Sequence, residues 1–78
     1  MTRNEFRNLV SDGDLSDDAV FDEIMREAKL VIGMTPRKLS SAMRMSVPTA
    51  ARWLNNVTRP AFGMRESVRR YLIRATDP

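Results

Sequence analysis

Residues 35–60 read TPRKLSSAMRMSVPTAARWLNNVTRP, and the order of caps and apolar positions in this stretch decides the fold. Thr35 carries a hydroxyl that can accept from the free amides of a first helical turn, and Pro36 stands where a missing N–H costs nothing. Met34 and Leu39 are spaced as a hydrophobic staple across that start. Leu39 and Met43 make one apolar side, so the spacing predicts a short helix that ends near Arg44. Ser46 offers a second cap, and Ala50, Trp53 and Leu54 share one face of a following helix over 47–55. Asn55-Asn56 closes that helix, because asparagine tolerates the left-handed C-terminal position better than other residues with a side chain. Residues 57–63, with Pro60 inside them, read as a loop.

Upstream, Ser16 is the expected cap of another helix, with Asp17 and Asp18 at its positive end and Leu15 and Val20 as staple. Val20, Phe21, Ile24, Met25, Ala28, Val31 and Ile32 fall on one arc at 100° per residue, and Gly33 is the expected terminator. Downstream, a helix over roughly 64–74 carries Met64, Val68, Tyr71 and Leu72 on one side, with Arg65, Arg69, Arg70 and Arg74 mostly on the other. Those arginines fit a solvated face, a second phosphate contact or a dimer surface. Phe6, Leu9 and Val10 precede the turn-prone Ser11-Asp12-Gly13-Asp14, so residues 1–15 read as a flexible arm or a short helix of about one turn. The expected organisation is this arm, a domain over 16–74 and a tail over 75–78. No strand alternation is present, and the fold class is all-α.

Two short helices joined by a three to four residue turn and flanked by amphipathic helices have the layout of a helix-turn-helix domain. Leu39, Ser40, Met45, Ser46, Thr49, Arg52, Trp53, Leu54, Asn55 and Pro60 stand in an order that resembles the Cro and lambda-repressor family of DNA-binding domains. With the flanking helices the resemblance covers roughly residues 16–74. Three positions depart from the family pattern: Arg44 where a turn glycine is frequent, Ala50 where a larger aliphatic residue is common, and Pro36 where a glutamine often donates to phosphate. The resemblance implies a four- to five-helix lambda-repressor-like fold and a small regulator of transcription, a repressor, bound to duplex DNA as a homodimer. It also implies a phage, mobile-element or compact bacterial origin.

Residue placement reads the same way without the family. With Ala50, Trp53 and Leu54 facing inward, Val47, Pro48, Ala51, Arg52 and Asn55 form the opposite arc. Arg52 can bond guanine O6 and N7 together, Asn55 can reach adenine or a phosphate, and Val47, Pro48 and Ala51 suit thymine methyls. Phosphates would be met by Thr35, Arg37, Thr49, Asn56, Thr58 and Arg59. Trp53 is read as core, and Asn55 and Asn56 as caps as well as contacts. The dimer that the family resemblance implies, on half-sites about 34 Å apart, would be joined through the patch of Phe6, Leu9 and Val10 or the surface of the 64–74 helix.

Charge supports a polyanionic partner. The 78 residues sum to only +3, yet residues 1–35 hold four bases against eight acids, a net of −4, and residues 36–78 hold nine bases against two acids, a net of +7. With neither cysteine nor histidine, the chain lacks disulfides, thiol nucleophiles and the usual general base, so no enzyme activity and no cofactor are expected. No apolar run approaches the roughly 20 residues of a membrane span, and a cytoplasmic, nucleoid-associated protein is expected. The alternative function is an interaction module of the same fold, antitoxin-like or polymerase-binding, that holds a basic protein through Asp18, Asp22 and Glu23. Asp12, Asp14, Ser16, Asp18 and Glu23 match positions 1, 3, 5, 7 and 12 of a calcium loop. Position 6 is Asp17 where such a loop needs glycine, and an acid-rich helix start explains the same residues.

Overall fold

A computed structural model describes residues 1–77 and shows five helices, α1 (Arg3–Asp12), α2 (Asp18–Val31), α3 (Pro36–Met43), α4 (Val47–Leu54) and α5 (Phe62–Thr76), with no strand among the described residues. The expected all-α class holds. In space α3 packs on α4, α1 on α5 and α2, and α2 on α4, with α3 also touching α5. One core results, built on Phe6, Val10, Phe21, Ile24, Met25, Ala28, Leu39, Ala50, Trp53, Leu54, Val68 and Leu72.

The expected arm is a ten-residue helix. Thr2 accepts from the Glu5 amide while the Glu5 carboxylate accepts from the Thr2 amide, a reciprocal cap that starts α1. The bond from the Thr2 backbone amide also holds the Glu5 carboxyl below its ordinary pKa. Phe6 and Val10 point into the core and are fully buried. They are thus spent within the chain, and the expected dimer contact through Phe6, Leu9 and Val10 is corrected. Arg7 pairs with Asp77, and Arg3 donates to the Thr76 carbonyl, tying the two ends of the chain together. These ties explain why sequence patterning underestimates α1: one apolar turn is marginal alone and becomes a stable helix only against α5.

Gly13 ends α1 for lack of space. A Cβ there would stand 2.7 Å from the Leu9 carbonyl oxygen and 2.9 Å from a Val20 methyl. Gly13→Ala should therefore lower stability by about 1–3 kcal/mol, read as a fall in the urea midpoint, because the carbonyl belongs to backbone and cannot swing away.

The cap of α2 is Asp17, where Ser16 was expected. The Ser16 amide and hydroxyl both donate to the Asp14 carboxylate, at 3.0 and 2.6 Å, which removes Ser16 from the helix end. The hydroxyl and the amide of Ser16, in that order, hold the Asp14 carboxyl below its ordinary pKa. Asp17 then accepts from the Ala19 amide at 2.9 Å. At the far end Gly33 takes φ +64°, as expected, and the Met34 amide turns back to the Ala28 carbonyl at 3.0 Å.

The caps of α3 and α4 stand where the sequence places them. Thr35 accepts from the Lys38 amide and Ser46 from the Thr49 amide. Between the two helices Arg44 adopts the left-handed conformation, φ 55° and ψ 52°, and the Met45 amide reaches the Ser40 carbonyl at 3.0 Å. Asn56 does the same after α4, with φ 62° and a 2.8 Å bond from the Val57 amide to the Arg52 carbonyl. A β-carbon is disfavoured in this conformation, so Arg44→Gly should raise stability by about 0.5–1 kcal/mol, detectable as a higher urea midpoint at unchanged slope.

The helix α5 starts and ends beyond its expected 64–74 limits, and Thr76 is buried, so the expected tail begins inside a helix. Pro78, the last residue of that tail, lies outside the described residues. Its inward row is Arg65, Val68, Leu72 and Thr76, whereas Met64 is exposed. Arg65, expected on the outer face, is only 5% exposed. Its guanidinium donates to the Pro60 and Leu15 carbonyls at 3.0 and 2.8 Å and pairs with Asp18 at 2.9 Å. It also lies against the Phe21 and Phe62 rings, 5.3 and 4.6 Å from their centroids. Arg69 likewise turns inward, donating to the Gly13 and Ser11 carbonyls at the negative end of α1. Arg70 and Arg74 stay exposed.

Candidate nucleic-acid interface

The outer side of α4 follows from its inner one. Ala50, Trp53 and Leu54 are buried, which leaves Val47, Pro48, Arg52 and Asn55 exposed and Ala51 half-buried on the opposite arc. The five expected base-facing residues therefore share one row, exposed except at the half-buried Ala51. Val47 is 43% exposed, and no structural reason within the chain requires an aliphatic residue there.

The expected phosphate contacts divide into two groups. Thr35, Arg37 and Thr58 are exposed, with Thr35 also capping α3. Thr49 is half-buried, and its hydroxyl accepts from the Ser46 hydroxyl at 2.9 Å within the first turn of α4. Asn56 and Arg59 are drawn toward α2. The Asn56 side chain donates to the Asp22 carbonyl at 3.0 Å, and Arg59 grips the Asp22 carboxylate through two nitrogens at 2.9 and 2.6 Å. Asp18 adds a third contact to Arg59 at 3.7 Å. The hydrogen bonds that Arg59 donates to Asp22 raise its pKa above its already high ordinary value. Asn56 and Arg59 therefore anchor the loop after α4, and the structure does not bring them to the row on α4.

Charge placement adds residues that pattern reading passed over. From residue 28 to residue 65 there is no acid, while Lys29, Arg37, Lys38, Arg44, Arg52, Arg59 and Arg65 are basic. Arg59 and Arg65 are neutralised by Asp18 and Asp22. The other five have no carboxylate within 4.0 Å among the described residues. Arg37, Lys38 and Arg44 are exposed and belong to α3 and its turn, the element that packs on α4. Lys29, at the end of α2, donates to Asn55 Oδ1 at 3.1 Å. The signal that could have found Lys29, Lys38 and Arg44 is the long acid-free interval itself, since uncompensated charge needs a solvated or anionic neighbour.

The acidic end of α2 is less available than its composition implies. Asp18 and Asp22 are engaged by Arg65 and Arg59, and Glu23 is half-buried. The calcium-loop spacing also loses its meaning in space: Asp14 is bound by Ser16, Asp18 by Arg65, and Glu23 stands within α2. Among the described residues no group of three or more His, Cys, Asp or Glu side chains is placed to hold a metal ion. No cavity opens in the described residues. No helix among them is long and apolar enough to cross a membrane. Comparison with protein-family models, curated proteins and solved structures yields no match for this chain.

Proposed function

We propose that this protein is a small, sequence-specific regulator of transcription, a repressor of the lambda-repressor-like helix-turn-helix kind, that inserts α4 into the major groove of duplex DNA. The observation that carries this reading is the row on α4 together with five bases, on α2, α3 and its turn and α4, that no carboxylate within 4.0 Å compensates among the described residues. An α-helix with its side chains is about 10–12 Å across, which fits a groove about 12 Å wide. Arg52 offers the fork that guanine O6 and N7 accept, and Val47, Pro48 and Ala51 offer apolar contact to thymine methyls. Thr35, Arg37, Lys38 and Thr58 fit phosphates on either side, so the affinity is largely electrostatic and falls steeply with salt.

A single α4 reads only a few base pairs, and the reading includes a two-fold dimer. With Phe6 and Val10 in the core, the large apolar residues exposed outside α4 among the described residues are Met1, Leu30, Val57, Phe62 and Met64, the last three around the start of α5. A two-fold dimer of this kind would set its two α4 helices about one turn of DNA, 34 Å, apart. Selection from random duplex DNA tests the proposal: enrichment of two related half-sites one turn apart is expected. Absence of any enrichment at low salt would defeat it. The alternative of an acidic docking face is weaker, because Asp18 and Asp22 already serve arginines of the same chain.

A further inference from the structure

Lys29 lies on α2, outside the two helices of the proposed reading unit, yet its ammonium donates to Asn55 Oδ1 at 3.1 Å. Asn55 is exposed at the end of α4, and its backbone amide is satisfied by the Ala51 carbonyl. An asparagine side chain has one acceptor oxygen and one NH2 group with two donors. Pairing with adenine uses both together, the oxygen accepting from N6–H and the NH2 donating to N7. With Oδ1 held by an ammonium, a second donor from adenine would meet positive charge. What Asn55 presents outward is its donor NH2.

Lys29 has no carboxylate within 4.0 Å among the described residues, so its charge is uncompensated and its ammonium keeps N–H groups to spare. The neighbouring Asn56 cannot take this place, because its NH2 donates to the Asp22 carbonyl. At the end of α4 there is thus a pair of side chains that presents spare donors and a net positive charge, with its one acceptor oxygen already engaged by the ammonium. That chemistry fits an oxygen of a phosphodiester, which accepts and is anionic, and does not fit a base edge that must both give and receive.

We propose that Lys29 and Asn55 bind one backbone phosphodiester together, so that Asn55 positions α4 in the groove and reads no base. The inference rests on the DNA-binding reading of α4 and narrows it, leaving Arg52 as the residue that reads a base by hydrogen bonds.

The test is equilibrium binding of the full chain to its selected duplex and to every single-base-pair variant of it, at several salt concentrations. Wild type, Lys29→Gln, Asn55→Ala, the double variant and Arg52→Ala are compared. Lys29→Gln and Asn55→Ala should each weaken all duplexes by a common factor of about three to thirty, with the ranking of bases unchanged. Lys29→Gln should also flatten the salt slope by about one. The double variant should lose less than the product of the two single losses, because both side chains serve one phosphate. A loss confined to one A·T position in Asn55→Ala overturns the proposal, as does unchanged binding in Lys29→Gln. If wild type prefers no duplex and Arg52→Ala changes nothing either, the DNA reading itself fails. That outcome differs from a shared phosphate site being absent, in which Arg52→Ala still relaxes one position.

Discussion

Arg65→Met should cost this protein about 3 kcal/mol of stability and lower its melting temperature by about 15 °C, at 4–8 °C per kcal/mol for a domain of this size. Methionine keeps most of the side-chain volume and removes every donor. The Leu15 and Pro60 carbonyls, which accept from the guanidinium at 2.8 and 3.0 Å, would then be buried without partners. An unsatisfied buried acceptor costs about 1–3 kcal/mol, and the contact with Phe21 and Phe62 adds about 0.5–2 kcal/mol. Relief of the desolvated charge offsets part of this sum. For a small domain with a total near the lower end of 5–15 kcal/mol, the loss approaches half of the stability. Asp18→Asn should cost under about 1 kcal/mol, because the Asp18 side chain is 56% exposed and water screens its pair. Arg65→Lys should fall between the two, since an ammonium cannot match a planar fork that serves three acceptors in different directions. Urea and thermal unfolding of the three variants check this order. A loss in Asp18→Asn equal to that in Arg65→Met would mean that the ion pair and not the carbonyls carries the energy.

Arg52→Ala is expected to reduce binding to the selected duplex by about 1–3 kcal/mol, a factor of roughly five to a hundred and fifty, and to erase the preference at a single base pair. The residue is exposed, lies on the row opposite Ala50, Trp53 and Leu54, and has no carboxylate within 4.0 Å among the described residues. Folding should be nearly unaffected, because a solvated arginine at such a site contributes little to stability. Arg37→Ala should act differently. It should weaken all duplexes by a similar factor and flatten the dependence of log affinity on log salt by about one. Competition binding at several salt concentrations separates the two patterns. Equal affinity and equal slope in both variants would remove α4 as the recognition element.

The same arginines show why one class of role was legible in the sequence and another was not. On a wheel, Arg52 lies opposite three core residues of its own helix, and the structure leaves it exposed. Arg65 lies next to core positions of its helix too, and its charge argues for the outside, yet it is buried. What reverses the argument is a pair of carbonyls, from Leu15 and from Pro60, that end up facing it from elsewhere in the chain. No local pattern in residues 62–76 encodes their position. Arg59 repeats the lesson: as a basic loop residue it reads as a phosphate contact, while in three dimensions Asp22 stands close enough to hold it through two nitrogens.

Local chemistry was sufficient for the elements that end on their own residues. Thr35 and Ser46 cap α3 and α4, Gly33 and Asn56 take the left-handed turns, and the apolar stripe of α2 is the buried one, because each depends on interactions within a few positions. Ser16 fails as a cap for an equally local reason, since Asp14 competes for its hydroxyl. The all-α class, the two short helices with a three-residue turn and the exposed row on α4 were thus determined by the sequence itself. The tertiary structure alone decided that α1 is a core helix, that Arg59 and Arg65 neutralise the acids of α2, and that Lys29 meets Asn55. Hydrogen bonds and ion pairs between residues 26 to 50 positions apart depend on how helices are set against one another, and helical periodicity carries no information about that.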